Sequence, residues 1–372
     1  MQNVLIYPYD EEFSPILSYK ELMSQYQITK VVSLRGWGLC GKEAGAIGKR
    51  NSLGFIVTDE FENNLDECDA VLFCETKNAI DFEKLIMPKI DMAIKFGKDI
   101  IVAFHMNQSE IDLIWKKCMD GKVGFKNYYR NTTLQSNLHM AEGSLGNLEI
   151  NTPVIFVFGM SQKTNKFDIQ LSLRKNFLER GYQVSQIGSR NYCELMGFHS
   201  FPCFMNAKLQ ESVKIRLFNR YIKEIENTEA PDVIIIGIPG GIFPINKKFT
   251  NYYGIYAYEI SQAVMPDAAV FSCLYDEFTQ DYFQLISTSI KNRFGFEVDC
   301  FNISNHFFDW NKSESQSKEI YVTVQSDAVD ERIGETKAQG IVIGNSLNKE
   351  SAKEMADCLL DKLIGYAEAE CM

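Results

Sequence analysis

Short unbroken apolar runs alternate along this chain with longer stretches whose apolar residues recur every three or four positions. The unbroken runs predict strands buried on both faces, and the longer period predicts helices with a single apolar stripe. In the first third, "NVLIYPY", "TKVVSL", "LGFIVTD", "CDAVLFCE" and "DIIVAFH" predict strands. Between them, "SPILSYKELMSQY", "FEKLIMPKIDMAIKFG" and "QSEIDLIWKKCMDG" predict helices, with Ser14 and Pro15 opening the first and Gly97 closing the second. Strands that alternate with helices predict a parallel sheet covered on both faces.

Residues 126–150 break the alternation. "NYYRNTTLQSN" and "AEGSLGNLEINTP" are polar and rich in turn formers, which marks a linker between a first domain at 1–125 and a second at 151–372. The second part alternates again, with strands predicted at "VIFVFG", "QVSQIGS", "DVIIIGIPGG", "AAVFSCLY", "EVDCFNIS", "IYVTV" and "GIVIGN". Ile169, Leu173 and Phe177 fall at steps of four, with Phe167 and Leu171 alongside, so 166–180 is one amphipathic helix. "NKSESQSKE" predicts a polar loop, and the last helix is expected to begin at a Ser351 cap. The expected fold class is α/β in two domains: a Rossmann-like parallel sheet followed by a P-loop-like parallel sheet.

The strand–turn–helix at "PVIFVFGMSQKTNKFDIQ" carries the candidate chemistry. Phosphate loops work because successive backbone amides converge on an anion at a helix N-terminus, with a lysine adding charge. Gly159, Met160, Ser161, Gln162, Lys163, Thr164, Asn165, Lys166 and Phe167 occupy that setting. The spacing from Gly159 to Lys166 is one residue longer than the common G-x-x-x-x-G-K-[ST] pattern. It is similar to the spacing in dethiobiotin synthetase and its relatives, which have Gly, five residues, then Gly-Lys-Thr. Downstream, "DVIIIGIPGGIFPI" places Asp232 at a strand start, Gly240 and Gly241 in a turn and Pro244 after it, which also resembles those enzymes. The resemblance implies ATP or GTP with Mg²⁺, its phosphates held by Lys166 and the amides of 160–167, with Lys163 assisting and Gly240–Gly241 alongside.

Three positions depart from that pattern. Asn165 stands where glycine is usual, though Asn tolerates left-handed backbone. Phe167 replaces the magnesium-binding hydroxyl. Gly237 stands where a carboxylate precedes the Gly-Gly pair, leaving Ser161, Thr164 and Asp168 as the nearby substitutes. The plain alternative is an ordinary strand-to-helix turn with Lys166 in solvent.

Other segments add weaker candidates. Gly36, Gly38 and Gly41 spell G-x-G-x-x-G, with Asp59 further on. The motif follows the second strand, Trp37 is bulky, and "KEAGAIGKRNS" is a poor helix, so a glycine-rich interdomain loop, with Trp37 packing at the seam, is the better expectation. Arg190 and Asn191 leave a strand, Asp276 ends another, and Tyr252 and Tyr253 open a tyrosine-rich stretch with Tyr256 and Tyr258. At the carboxyl edge of a sheet these would line a substrate or peptide surface. Asn302 resembles the asparagine that follows a late strand in the synthetases, and the resemblance implies that it reads a base edge. Cys193, His199 and Cys203 are the nearest approach to a metal set, but the ten cysteines form no C-x-x-C pair and no metal site is assigned. No Ser–His–Asp order or H-E-x-x-H element occurs, and no catalytic residue is assigned.

Composition narrows the field. The net charge of -11 and pI of about 5.1 argue against a nucleic-acid partner, which needs clustered cations. Free thiols in this number suit a reducing cytoplasm. "MQNVLIYPYD" has no basic n-region, and no apolar run is long enough to predict a membrane span.

Taken together, "GMSQKTNKFDIQ", "VSQIGSRNYCELMGFHSFP" and "DVIIIGIPGGIFPINKKFTNYYGIYAYEISQAV" resemble accessory proteins of clostridial cassettes that mature ribosomally made peptides with radical-SAM enzymes. The resemblance implies a role beside a precursor peptide and its modifying enzyme, and supplies no reaction. Three expectations follow: a nucleotide-dependent accessory factor, a non-catalytic adaptor for the peptide or enzyme, and a small-molecule transferase or ligase using an interdomain cleft.

Overall fold

The computed structural model describes residues 1–77, 79–129, 146–279, 281–336 and 340–370, with side chains to 365. The chain divides into two compact units, Met1–Arg130 with Asn191–Ser200, and Asn131–Arg190 with Phe201–Met372. Residues 130–145 of the predicted linker lie outside the described residues.

The first unit holds β1 (Gln2–Tyr7), β2 (Tyr26–Val31), β3 (Ala70–Cys74), β4 (Asp99–Ala103) and β5 (Phe125–Asn127) in one parallel sheet ordered β2-β1-β3-β4-β5. This is a doubly wound parallel sheet of the Rossmann-like class, in the 2-1-3-4-5 variant of the strand order. Alternate residues such as Leu5, Val71, Phe73, Ile100 and Val102 join a core with Ile90 and Ile114 from the helices Met87–Lys95 and Gln108–Gly121.

The second unit contains β6 (Val154–Gly159), β7 (Val184–Ile187), β8 (Val233–Gly237), β9 (Ala268–Cys273), β10 (Cys300–Ile303) and, after a β11 (His306–Phe308) and β12 (Tyr321–Thr323) antiparallel pair, β13 (Val342–Gly344). Apart from that pair, all are parallel, in the order β13-β10-β9-β6-β8-β7. Period-two alternation sends Val154, Phe156 and Phe158 to one face, and Ile155 and Val157 to the other. The second face packs on Ile169, Leu173 and Phe177 of the helix Lys166–Glu179. Because β6 is central and buried on both faces, it fixes where the following loop emerges. The fold is thus α/β with two parallel sheets, the second P-loop-like.

Four local expectations are corrected. "LGFIVTD" makes only isolated bridges, Val32 with Thr58 and Glu43 with Ile56, because Gly54 turns at φ 82° and Ile56 faces solvent. The first predicted helix is broken into Ser14–Ser18 and a 3₁₀ turn at Lys20–Leu22. The stretch expected as a polar loop carries the helix Trp310–Gln316, nucleated by Asp309, whose side chain accepts the Lys312 amide. The last helix begins at Lys349, and its cap is Asn348, which accepts the Glu350 and Ser351 amides, not Ser351.

Candidate functional site

The loop after β6 is shaped by two close approaches. A Cβ on Gly159 would lie 2.7 Å from both Ser272 O and Thr164 Oγ1, so only glycine ends this strand without a shift. The Met160 amide donates to Ser272 O at 2.9 Å. That amide is therefore satisfied within the fold, and the candidate cradle begins at Ser161. Thr164 Oγ1 donates to Ser161 O at 3.1 Å, and Ser272 Oγ donates to Thr164 O.

Asn165 takes φ 56° and ψ 20°, the left-handed conformation in which Asn replaces glycine at least cost. Its side chain adds something glycine lacks. Asn165 Oδ1 accepts the Asn305 amide at 3.0 Å, tying the loop to the segment after β10. Ser161 and Thr164 are fully buried, and Asn165, Lys166 and Phe167 nearly so. Among the described residues, the amides of Ser161, Gln162, Thr164, Asn165, Lys166 and Phe167 donate no hydrogen bond. Gln162 is exposed, but the other five belong to buried residues. A buried donor in this state costs about 1–3 kcal/mol, and a helix N-terminus satisfies such donors best with an anion.

Lys166 lies across this turn. Its Nζ donates to Ser161 O and, at 2.6 Å, to Gly240 O. Burial pushes the ammonium down from 10.5 to about 7. The plain reading, with Lys166 in solvent, does not describe this side chain, which is 5% exposed. The Gly-Gly turn is stitched to the loop: Gly240 has φ 77°, a Cβ on Gly241 would collide with Met160 O, and Asn251 Nδ2 donates to Met160 O at 3.1 Å and Phe243 O at 2.7 Å.

The residues present do not fit magnesium in the manner of the synthetases. Phe167 is buried with the Arg190 guanidinium 4.4 Å above its ring. A Cβ at Gly237 would strike the end of Gln170, which is fully buried and exchanges 3.2 Å hydrogen bonds with Ser189 N and Oγ. At one usual ligand position Phe167 offers no oxygen, and at the other the neutral Gln170 carbonyl stands in place of a carboxylate and already accepts the Ser189 amide. The Ser161 hydroxyl meets the Tyr321 hydroxyl at 2.5 Å, and the Thr164 hydroxyl is used inside the loop. No group of three His, Cys, Asp or Glu side chains among the described residues is placed to hold a metal.

The remaining candidates scatter. Arg190 belongs to this site through Phe167, whereas Asn191 falls in the first unit and donates to Tyr129 OH at 2.8 Å. Tyr252 and Tyr253 stand 65% and 59% exposed on a turn at φ 52° and 56°. Asp276 lines a cavity of about 590 Å³ that also touches Met160. Asn302 does not read a base: it is fully buried, donates to Ser272 Oγ at 2.8 Å and accepts the Ser346 amide at 2.7 Å. Gly36, Gly38 and Gly41 all have positive φ, but only a four-residue helix, Ala44–Ile47, follows them, and Asp59 is paired with Arg35 at 2.7 Å. Asn251, Ser272 and Asn305 shape the loop and were not legible, because each acts across the fold from a different segment. Gln170, in the helix that follows the loop, was not legible because its partner Ser189 and the space it fills at Gly237 are brought to it by the fold.

No protein-family model and no curated protein matches the chain. Among solved structures, the apo form of a GTPase from Pyrococcus abyssi aligns at a TM-score of 0.32 and 12% identity, over 57% of this chain and 97% of that one. A DUF1611 family protein from Anabaena variabilis aligns at a TM-score of 0.60 and 12% identity, over 97% of this chain and all of that one, a likeness of fold.

Proposed function

We propose that this chain binds a phosphate-bearing ligand, a nucleotide by preference, in the turn from Ser161 to Phe167, and does so without magnesium-assisted hydrolysis. The observation that carries the reading is the set of amides without acceptors at buried Ser161 and at buried Thr164, Asn165, Lys166 and Phe167, at the head of a 14-residue helix, with the Lys166 ammonium beside them. The helix dipole and the lysine add charge of the right sign. The filled positions at Phe167 and Gln170 favour binding over turnover, since phosphoryl transfer depends on metal charge. The biological setting we infer is maturation of a ribosomally made peptide, resting on the resemblance of the three quoted segments.

A second reading, a non-catalytic adaptor, is favoured by those same filled positions and by exposed Tyr252, Tyr253 and Tyr258, which offer aromatic area to a peptide or modifying enzyme. Calorimetry with ATP, GTP and inorganic pyrophosphate, with and without Mg²⁺, separates the two. The wild type is expected to bind at least one of them, with Mg²⁺ changing the affinity by less than about threefold. Lys166→Met is expected to weaken it by at least tenfold, about 1.4 kcal/mol. Undiminished binding by Lys166→Met would remove the loop from the account. No binding of any of the three, with a precursor peptide still captured, would leave the adaptor.

A further inference from the structure

The cavity beside Asp276 has a chemistry of its own. It lies where β6, β8, β9 and β10 release their following segments, because Met160, Phe243, Leu274 and Phe307 all line it. Ligands of parallel α/β sheets bind at this carboxyl edge. Its volume of about 590 Å³ suits a small organic molecule. The walls are aromatic: Phe243, Phe278, Tyr282, Phe307, Phe308 and Trp310. Phe308 and Trp310 meet edge to face with centroids 4.9 Å apart, and Trp310 remains 51% exposed.

The charged lining has one sign. Asp276 and Asp309 are its acidic side chains, and no Lys or Arg lines it. Asp309 is committed to its own helix, accepting the Lys312 amide at 3.0 Å and pairing with Lys312 Nζ at 3.1 Å. Asp276 Oδ1 accepts the Glu277 amide at 2.8 Å, and among the described residues Asp276 makes no ion pair. Arg332, under Tyr275, is balanced by Glu335 at 3.2 Å and Glu277 at 3.9 Å. An anion would face two carboxylates here. A neutral apolar ligand would cover Asp276 without giving it a partner, at a desolvation cost. A cation meets both the ring faces and the carboxylate.

We propose that this cavity binds an organic cation, an ammonium or guanidinium group on an apolar stem, seated against the aromatic wall with Asp276 as its counter-ion. The assignment stands on the cavity lining and is independent of the phosphate reading.

Calorimetry with the full chain tests it, using no nucleotide. The probes are N-acetyl-Phe-Arg-amide, its citrulline analogue, which keeps the shape and loses the charge, and phenethylammonium. The arginine dipeptide is expected to bind at least about tenfold more tightly than the citrulline one, equivalent to about 1.4 kcal/mol. Asp276→Asn, at an exposed turn, is expected to shrink that ratio below about threefold while circular dichroism stays unchanged; Trp310→Ala is expected to weaken both cations. Phenethylammonium binding as tightly as the arginine dipeptide assigns a free amine as the source, and tighter dipeptide binding assigns a basic side chain of a peptide. Equal affinity for the arginine and citrulline compounds, an undiminished ratio in folded Asp276→Asn, or no binding of either cation would overturn the proposal.

Discussion

Lys166 is held near pH 7 by burial, whereas the same side chain in an unfolded chain titrates near 10.5. Between those values the unfolded chain binds more protons than the folded one. Stability therefore rises with pH across this window, and the charge penalty is complete below it. Urea midpoints measured from about pH 7 upward are expected to climb for the wild type relative to Lys166→Met, which has no proton to lose. The same lysine makes binding titrate. An anion in the turn favours the ammonium, so above about pH 7 binding takes up a proton and affinity falls as pH rises. Calorimetry in buffers of different ionisation enthalpy reads that uptake directly, and uptake absent from the wild type would detach Lys166 from the ligand.

At the scale of elements, one chain of polar groups joins β9, β10 and the loop. Asn302 bridges Ser272 Oγ and the Ser346 amide, and Ser272 in turn donates to Thr164 O. Asn302→Ala leaves the buried Ser346 amide without its acceptor, at about 1–3 kcal/mol, and takes one of two hydrogen bonds from Ser272 Oγ, which still donates to Thr164 O. Urea denaturation is expected to show a lower midpoint with an unchanged slope, together with weaker pyrophosphate binding as Thr164 loosens. The sequence announced β6, β8 and β9 because strands buried on both faces must be apolar throughout, and it announced the loop because Gly159 and Lys166 bracket a polar turn. It did not announce what surrounds the loop. Asn305 reaches Asn165 across 140 positions and Asn251 reaches Met160 across 91, so no local pattern marks either. The Trp310–Gln316 helix escaped for a related reason: its polar residues show no period, and Asp309 supplies the start by capping. Phe167 and Gly237 were legible as departures, but their compensation by Arg190 and Gln170 appears only in three dimensions.

At the scale of the molecule, each unit closes its own core, around Val71 and Ile90 in one and around Phe156, Phe271 and Ile235 in the other. Two cores predict that scanning calorimetry departs from a single two-state transition, with a calorimetric enthalpy above the van't Hoff value. A ligand of the Ser161–Phe167 turn is expected to raise the midpoint of the second unit's transition, since only the binding-competent fold gains by mass action. Among the described residues no helix is long and apolar enough to cross a membrane. The chain is also threaded in a particular way: it leaves the second unit after Arg190, gives Asn191–Ser200 to the first, and returns at Phe201. A gene cut near residue 130 would therefore yield an amino-terminal piece lacking ten of its residues, among them the asparagine that meets Tyr129, and a carboxyl-terminal piece trailing them as surplus. Fragments divided at that point are therefore expected to fold less completely than the undivided chain.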